Sequence, residues 1–271
     1  MKDRIQILGI PIDKVDFLEA LGQIEELVNT KGYHQVATVN PEFVMHAQGD
    51  EEFRKALVNS SLNTPDGIGI VWASKYKKLS KSSNIKCLIF NIFWLKITLF
   101  AILFRKKWLT SEIKERVTGI DLMWELSNRA QERGWRVFLL GGEDGVAEGV
   151  AEKLKGIYPR LNIVGTYAGN PEEEGLCEKV AEASPDILFV AFGSPKQEIF
   201  VYQNLEKLKA KVVIGVGGSF DFIVERAKRA PVWMQKLGLE WLYRFICQPK
   251  RAIRIFNAFP KFVWKVFWGR N

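Results

Sequence analysis

Short unbroken apolar runs alternate with longer mixed ones along most of this chain. "RIQILGIPI" reads as a strand and "DFLEALGQIEELVNT" as a helix. "YHQVATVN" reads as a strand, and "PEFVMHAQGDEEFRKALVNS" as one helix with Pro41 in its first turn. Further on, "GIDLMWELSNRAQERG", "EDGVAEGVAEKLKGIYP", "EEEGLCEKVAEAS" and "PKQEIFVYQNLEKL" predict helices. "RVFLLGG", "NIVGTYAG", "DILFVAFG" and "VVIGVGGSFDFI" predict strands among them. "ILFVAF" and "VVIGV" are apolar on both faces, as buried parallel strands are. Regular β-α alternation predicts an α/β fold with a doubly wound, mainly parallel, Rossmann-like sheet.

Two segments break the pattern. The first, "IKCLIFNIFWLKITLFAILF" at 85–104, is about as long as the ~20 residues a bilayer span needs, but Lys86, Asn91 and Lys96 interrupt it. A single crossing would put 1–84 and 105–271 on opposite sides and split the α/β domain. A helix or hairpin lying in one leaflet is therefore expected, a buried core helix being the alternative. The second is the tail, "LEWLYRFICQPKRAIRIFNAFPKFVWKVFWGRN". Trp241, Leu242, Phe245 and Ile246 recur at helical spacing, as do Ile253, Phe256, Val263 and Phe267. Pro249 and Pro260 are expected to cut this tail into short helices. The chain thus divides into a core over 1–225, interrupted by an apolar basic insert over 78–112, and a helical appendage over 226–271.

Charge sharpens this division. Lys75 to Lys107 holds nine of the 39 Lys/Arg and no acid; Arg226 onward holds eleven, with Glu240 alone of the 31 acids. The rest carries 19 bases against 30 acids. Both basic segments are also rich in large apolar residues, and those residues come in blocks rather than singly between charges. An anionic membrane surface suits that pattern better than nucleic acid does.

Other features exclude more than they suggest. Cys87, Cys177 and Cys247 are too scattered for a disulfide framework or a zinc site, and fit reduced thiols. The start, "MKDRIQILGIPIDKVDF", lacks the apolar stretch of a signal peptide. No G-x-x-x-x-G-K-[ST] loop occurs. His34 and His46 read as surface or helix-packing residues.

In doubly wound sheets ligands bind at the carboxyl ends of the strands. That directs attention to "TVNPE", "TPDG", "LLGGEDG", "AFGSPKQE" and "GVGGSFD". Gly141, Gly142, Gly145, Gly193, Gly217 and Gly218 let a nucleotide approach the backbone and the helix N-termini. Their spacing departs from G-x-G-x-x-G, and no acid stands where a ribose would need one. Asp66 stands at a strand end between Pro65 and Gly67. It could serve as a general base toward a hydroxyl, or fix the turn through its own backbone amides; spacing leaves both open. Thr38, Asn40 and Gln197 could hydrogen-bond a polyhydroxylated ligand, or act as caps and turn residues.

Seven motifs in order, "ATVNPEFVMHAQ", "LNTPDGIGIVWASK", "ERVTGIDLMWEL", "FLLGGEDGVAE", "VAFGSPKQE", "GVGGSFDFIVERAKRAP" and "LGLEWLYRFICQPKR", resemble the WecG/TagA/CpsF glycosyltransferases, glycosyltransferase family 26. The resemblance covers nearly the whole chain except about 78–112. It implies inverting transfer of N-acetylmannosamine, or its uronic acid, from a UDP donor to polyprenyl-diphosphate-linked N-acetylglucosamine. Cell-surface polysaccharide or teichoic acid synthesis at the cytoplasmic face of the membrane would be the setting, with the protein peripherally or monotopically attached. It implies Asp66 as the base, Thr38, Asn40 and Gln197 lining the site, and Arg244, Arg251 and Arg254 brought to the donor diphosphate by the appendage. No D-x-D-type motif is present, so metal-independent chemistry without a cofactor is expected, with arginine forks neutralising the leaving group. Deleting the chain after about Arg226 would on this view abolish turnover and leave the core folded. A different UDP-sugar and lipid acceptor, a Rossmann-type oxidoreductase and a non-catalytic membrane adaptor are the alternatives. The apolar tail could also pack against a second subunit.

Overall fold

The structure, a computed structural model, describes residues 3–80, 87–237, 242–243 and 249–269. Six strands form one parallel sheet: β3 (His34–Val39), β4 (Leu62–Pro65), β5 (Arg136–Gly141), β6 (Asn162–Tyr167), β7 (Ile187–Ala191) and β8 (Val212–Gly215). Their spatial order is β4-β3-β8-β7-β5-β6, and every pairing is parallel. The expected fold class is therefore present.

Helices cover both faces. α1 (Phe17–Asn29), α7 (Gly119–Arg133), α8 (Val146–Ile157) and α11 (Ser219–Ile223) share one apolar cluster with Leu139, Phe189 and Ile214. α9 (Leu176–Ala183) and α10 (Lys196–Leu208) cover Leu140, Leu188 and Val213 on the other face. Local chemistry sets the helix ends. Asp16 and Glu19 close a reciprocal capping box on α1, at 2.9 and 2.8 Å. Thr118 caps α7, and Gly134 ends it in the left-handed region at φ 71°.

The start of the chain departs from expectation. "RIQILGIPI" is two strands, β1 (Arg4–Ile7) and β2 (Ile10–Asp13), forming a separate antiparallel hairpin. Leu8 and Gly9 turn it, both with positive φ. The hairpin covers the edge strand β4. Asp13 accepts from Asn63 N at 2.7 Å and pairs with Arg4, while Asn63 Nδ2 donates to Pro11 O. An edge strand covered this way offers no free ladder to other chains.

"PEFVMHAQGDEEFRKALVNS" is likewise two helices, α2 (Pro41–His46) and α3 (Glu51–Asn59). Asp50 starts the second by accepting from Phe53 N at 2.9 Å.

Both atypical segments are helical. α4 (Ile68–Leu79) leads to α5 (Leu88–Phe104) and a single turn, α6 (Lys106–Leu109). No helix among the described residues is long and apolar enough to cross a membrane. α5 buries Asn91, Thr98, Ala101 and Ile102 against α4 and exposes Ile89, Phe93 and Phe100. A short helix, α12 (Val232–Leu237), precedes α13 (Pro249–Trp268). Pro260 lies inside α13, so the proline expected to divide the tail does not end the helix. Phe262, Val266 and Phe267 are buried in one cluster with the hairpin, α2, α4 and α5. Trp72 is the meeting point. Its indole N–H donates to Thr98 Oγ1 at 3.0 Å, and its ring meets Phe262 edge-on at 6.1 Å. The appendage thus shares its core with the N-terminal half.

Candidate active site

The carboxyl ends of the strands bring most of the candidate residues together. Helix α2 follows β3 onto one face and α11 follows β8 onto the other, so a crevice opens between these neighbours. A second opens between β5 and β7, whose following helices, α8 and α10, also diverge.

Val39 pairs with Pro65 in register, and Asp66 N donates to Val39 O at 2.8 Å. Asn40 and Asp66 therefore leave adjacent strand ends side by side. Gly67 follows at φ 92°, a conformation that side chains resist, and turns the chain directly into α4. Asn40 caps α2: its Oδ1 accepts from Phe43 N at 3.0 Å, which leaves its Nδ2 to offer a ligand. Thr38 is buried, with Oγ1 3.4 Å from Gly215 O on β8. The start of α7 closes this side. A β-carbon on Gly119 would stand 3.6 Å from both Thr38 Cγ2 and Ser219 Oγ, and Val117 N donates to Pro65 O at 2.8 Å.

The glycine loops fill the second half. Gly141 ends β5 and Gly142 follows it, at φ 100° and 82°, and Gly142 N donates to Ala191 O at 3.2 Å. Gly145 opens α8 at φ 78°, and Gly218 opens α11. Gln197 joins the remaining two loops. Its Oε1 accepts from Gly193 N at 3.1 Å and from Gly217 N at 3.2 Å. Its Nε2 donates to Glu198 Oε1 at 2.5 Å. Gln197 is thus occupied in holding the loops, with one amide hydrogen left for other use.

Three side chains outside the sequence-based set stand out here. Glu198 is fully buried under the crevice, and burial lifts its carboxyl to about 7 against the pull of hydrogen bonds from Gln197 and Ser194. Asp121, in the first turn of α7, forms a pair of hydrogen bonds with Arg229. Burial alone would raise Asp121, but Arg229 and Thr118 hold it below the usual carboxylate range. In the sequence, only their motifs, "VTGID" and "AKRAP", could have marked Asp121 and Arg229.

Helix α13 reaches this end of the sheet. A β-carbon on Gly69 would lie 2.5 Å from Pro41 Cγ and 3.4 Å from Phe259 Cε2, so Phe259 sits where α2 and α4 begin. Arg251 and Arg254 lie on the same helix, within about two turns of Phe259. The backbone there is described and the side chains are not; Arg244 lies outside the described residues. Among the described residues, no three of His, Cys, Asp and Glu gather where they could hold a metal.

The chain matches the Glycosyl transferase WecG/TagA/CpsF family over residues 5–93 and 100–271. The stretch left out of the match inside the chain is 94–99, within α5, so the family resemblance runs through most of the segment expected to be an insert. Among relatives, the N-acetylglucosaminyldiphosphoundecaprenol N-acetyl-beta-D-mannosaminyltransferase of Bacillus subtilis (strain 168) is 32% identical over 253 residues, 93% of this chain and 84% of its own. The enzymes of the same name from Bacillus spizizenii and Staphylococcus aureus (strain MRSA252) are 28% and 27% identical. They are aligned over 94% and 97% of this chain and 90% and 92% of their own. The chain belongs to the WecG/TagA/CpsF glycosyltransferase family.

Proposed function

We propose that this enzyme transfers N-acetylmannosamine from a UDP donor to N-acetylglucosaminyl-diphospho-undecaprenol, with inversion at the anomeric carbon. The observation that carries the reading is the near full-length similarity to proteins named for that transfer. Cell-wall or surface-polymer synthesis is the setting this chemistry fits.

Asp66 is the base in this reading. The acceptor hydroxyl gives its proton to the Asp66 carboxylate as its oxygen attacks the sugar, and the bond to the UDP oxygen breaks. Strand-end placement beside Gly67 supports the role, because the residue that follows the carboxylate carries no side chain of its own. Thr38 and the Asn40 amide line the acceptor side. The loops of Gly141, Gly142, Gly145, Gly193, Gly217 and Gly218 receive the nucleotide, whose phosphates suit exposed backbone N–H groups. Arg244, Arg251 and Arg254 neutralise the leaving diphosphate in place of a metal.

The acceptor is a lipid, so the enzyme works at the cytoplasmic face of the membrane. Ile89, Phe93 and Phe100 follow one another at helical spacing on the exposed side of α5, with Lys96 among them. Lys75, Lys78, Arg105 and Lys107 lie nearby in sequence. Trp264 and Trp268 are exposed on α13. Aromatic residues flanked by cations suit the boundary between anionic headgroups and acyl chains.

The test is UDP release from UDP-N-acetylmannosamine, with the lipid-linked acceptor in anionic vesicles, for wild type and D66N. Acceptor-dependent release that falls by about 10²–10⁴-fold in D66N supports the base assignment. No release from wild type would reject the donor or the acceptor; equal release would reject Asp66.

A further inference from the structure

Glu198 follows Gln197 in the first turn of α10, and its whole side chain is inside the protein, 2% exposed. A carboxyl costs free energy in such a place unless its oxygens are used. One is: Oε1 takes the hydrogen bond from Gln197 Nε2 at 2.5 Å. Ser194 is a second hydrogen-bonding neighbour of this carboxyl, while Oε2 is buried and meets no donor in good geometry among the described residues. What perturbs this carboxyl is burial and its neighbours' hydrogen bonds, with no arginine or lysine among the causes.

The bond from Gln197 fixes an orientation. A glutamine amide has an acceptor end and a donor end, and nothing intrinsic decides which way it faces. Glu198 can accept and so holds the Nε2 end, which leaves Oε1 facing Gly193 N and Gly217 N. Were the amide reversed, an NH2 group would face two backbone N–H groups, and all three donors would lose their acceptor. The space is shaped for this pair. A β-carbon on Gly215 would stand 2.7 Å from Gln197 Nε2 and 2.8 Å from Glu198 Oε1. Gln35 Nε2 donates to Glu198 O at 3.0 Å, tying the same turn of α10 to β3.

We propose that Glu198 is a positioning residue of the transfer site, locking the Gln197 amide in the one orientation that joins the Gly193 and Gly217 loops. Through Gln197 it sets the spacing of two loops that border both crevices, so it acts on the donor without touching it. This rests on the transfer site proposed above, but the joining of the loops can be measured without any substrate.

The experiment is amide hydrogen exchange at Gly193 and Gly217 in wild type, Q197A, E198L, E198D and E198Q. E198L fills the space without an acceptor, E198D keeps the carboxyl but withdraws it, and E198Q keeps the reach and an acceptor oxygen. Exchange at both glycines is expected to rise about tenfold in E198L and E198D, matching Q197A, while E198Q stays within about threefold of wild type. E198D keeps the test open should E198L fail to fold. Protected glycines in E198D, or E198Q exchanging as fast as Q197A, would overturn the proposal. A double-mutant cycle on UDP release gives the second readout. E198D combined with Q197A should cost no more than Q197A alone, and additive losses would overturn the coupling. Wild-type enzyme that released no UDP would count against the substrate assignment and leave the exchange result standing.

Discussion

Arg229 places both terminal nitrogens of its guanidinium on the two carboxylate oxygens of Asp121, at 2.7 and 2.9 Å, across 108 residues of sequence. This two-pronged contact ties the beginning of the appendage to the first turn of α7, beside the residues that close the Thr38 side of the crevice. Because both groups are partly exposed, its worth is modest. R229M is expected to lower stability by about 1 kcal/mol, read from urea unfolding at pH 7. The sign with pH follows from the depressed Asp121 carboxyl. Its contribution is present above the unfolded carboxylate range and is lost as pH falls through the folded value. R229M should therefore lose less stability than wild type on acidification below about pH 4.

Glu198 works in the opposite direction. With a folded value of about 7, the native state holds a proton that the unfolded chain has released. Stability should fall as pH rises from about 4.5 to about 7 and then level off. E198Q removes this slope. Denaturant midpoints at about pH 5 and about pH 8 should differ less for E198Q than for wild type; equal differences would show that the carboxyl is already ionised at the lower pH.

Gly215 leaves no room for a methyl group beside the Gln197–Glu198 pair. G215A is expected to cost about 1–3 kcal/mol through overpacking. It should also slow transfer, since the atoms it meets are those that hold the loops. Thermal unfolding together with UDP release tests both halves.

Phe262 is fully buried against Trp72. F262A should cost about 3–5 kcal/mol. Ending the chain after Arg226 also removes Val266 and Phe267 and uncovers Trp72 and Tyr76. Such a protein is expected to lose cooperative unfolding, not merely turnover, by calorimetry. A sharp transition near the wild-type temperature would show that the core stands without α13, as the sequence led one to expect.

The exposed stripe of α5 is testable by flotation. Replacing Phe93 and Phe100 with Glu should reduce binding to anionic vesicles about tenfold or more, with an unchanged melting temperature. High salt should weaken wild-type binding, since part of it comes from Lys and Arg. Unchanged binding would move the contact elsewhere, to α13 first.

The parallel strands were legible because residues such as Leu188, Phe189 and Val190 on β7 need apolar cover on both faces, and that demand leaves an unbroken run. The hairpin at Leu8 and Gly9 was not legible, because a leucine at φ 50° carries no turn signal. The break between α2 and α3 was signalled by Gly49 and Asp50 and outweighed by the apolar spacing around them. Pro260 misled in the other direction. Burial of Phe262, Val266 and Phe267 keeps α13 running through a residue that breaks helices elsewhere. The strand-end rule placed Asp66, Asn40, Thr38 and the glycine loops at one end of the sheet, where the structure has them, since topology alone sets that position. Glu198 escaped it. An acid in the first turn of a helix is ordinarily a solvated partner of the helix dipole, and no periodicity announces that this one is buried. The Asp121–Arg229 pair escaped because its halves lie on different elements.

Trp72 gives the molecule an order of assembly. The half of the core containing Ile7, Val39 and Trp72 is completed by Phe262, Val266 and Phe267. In chain order α13 follows every strand, so one face of Trp72 has no cover until that helix is made. The helix expected to neutralise the departing diphosphate is thus also one that covers this half of the core, so loosening it would disturb packing and the proposed charge together.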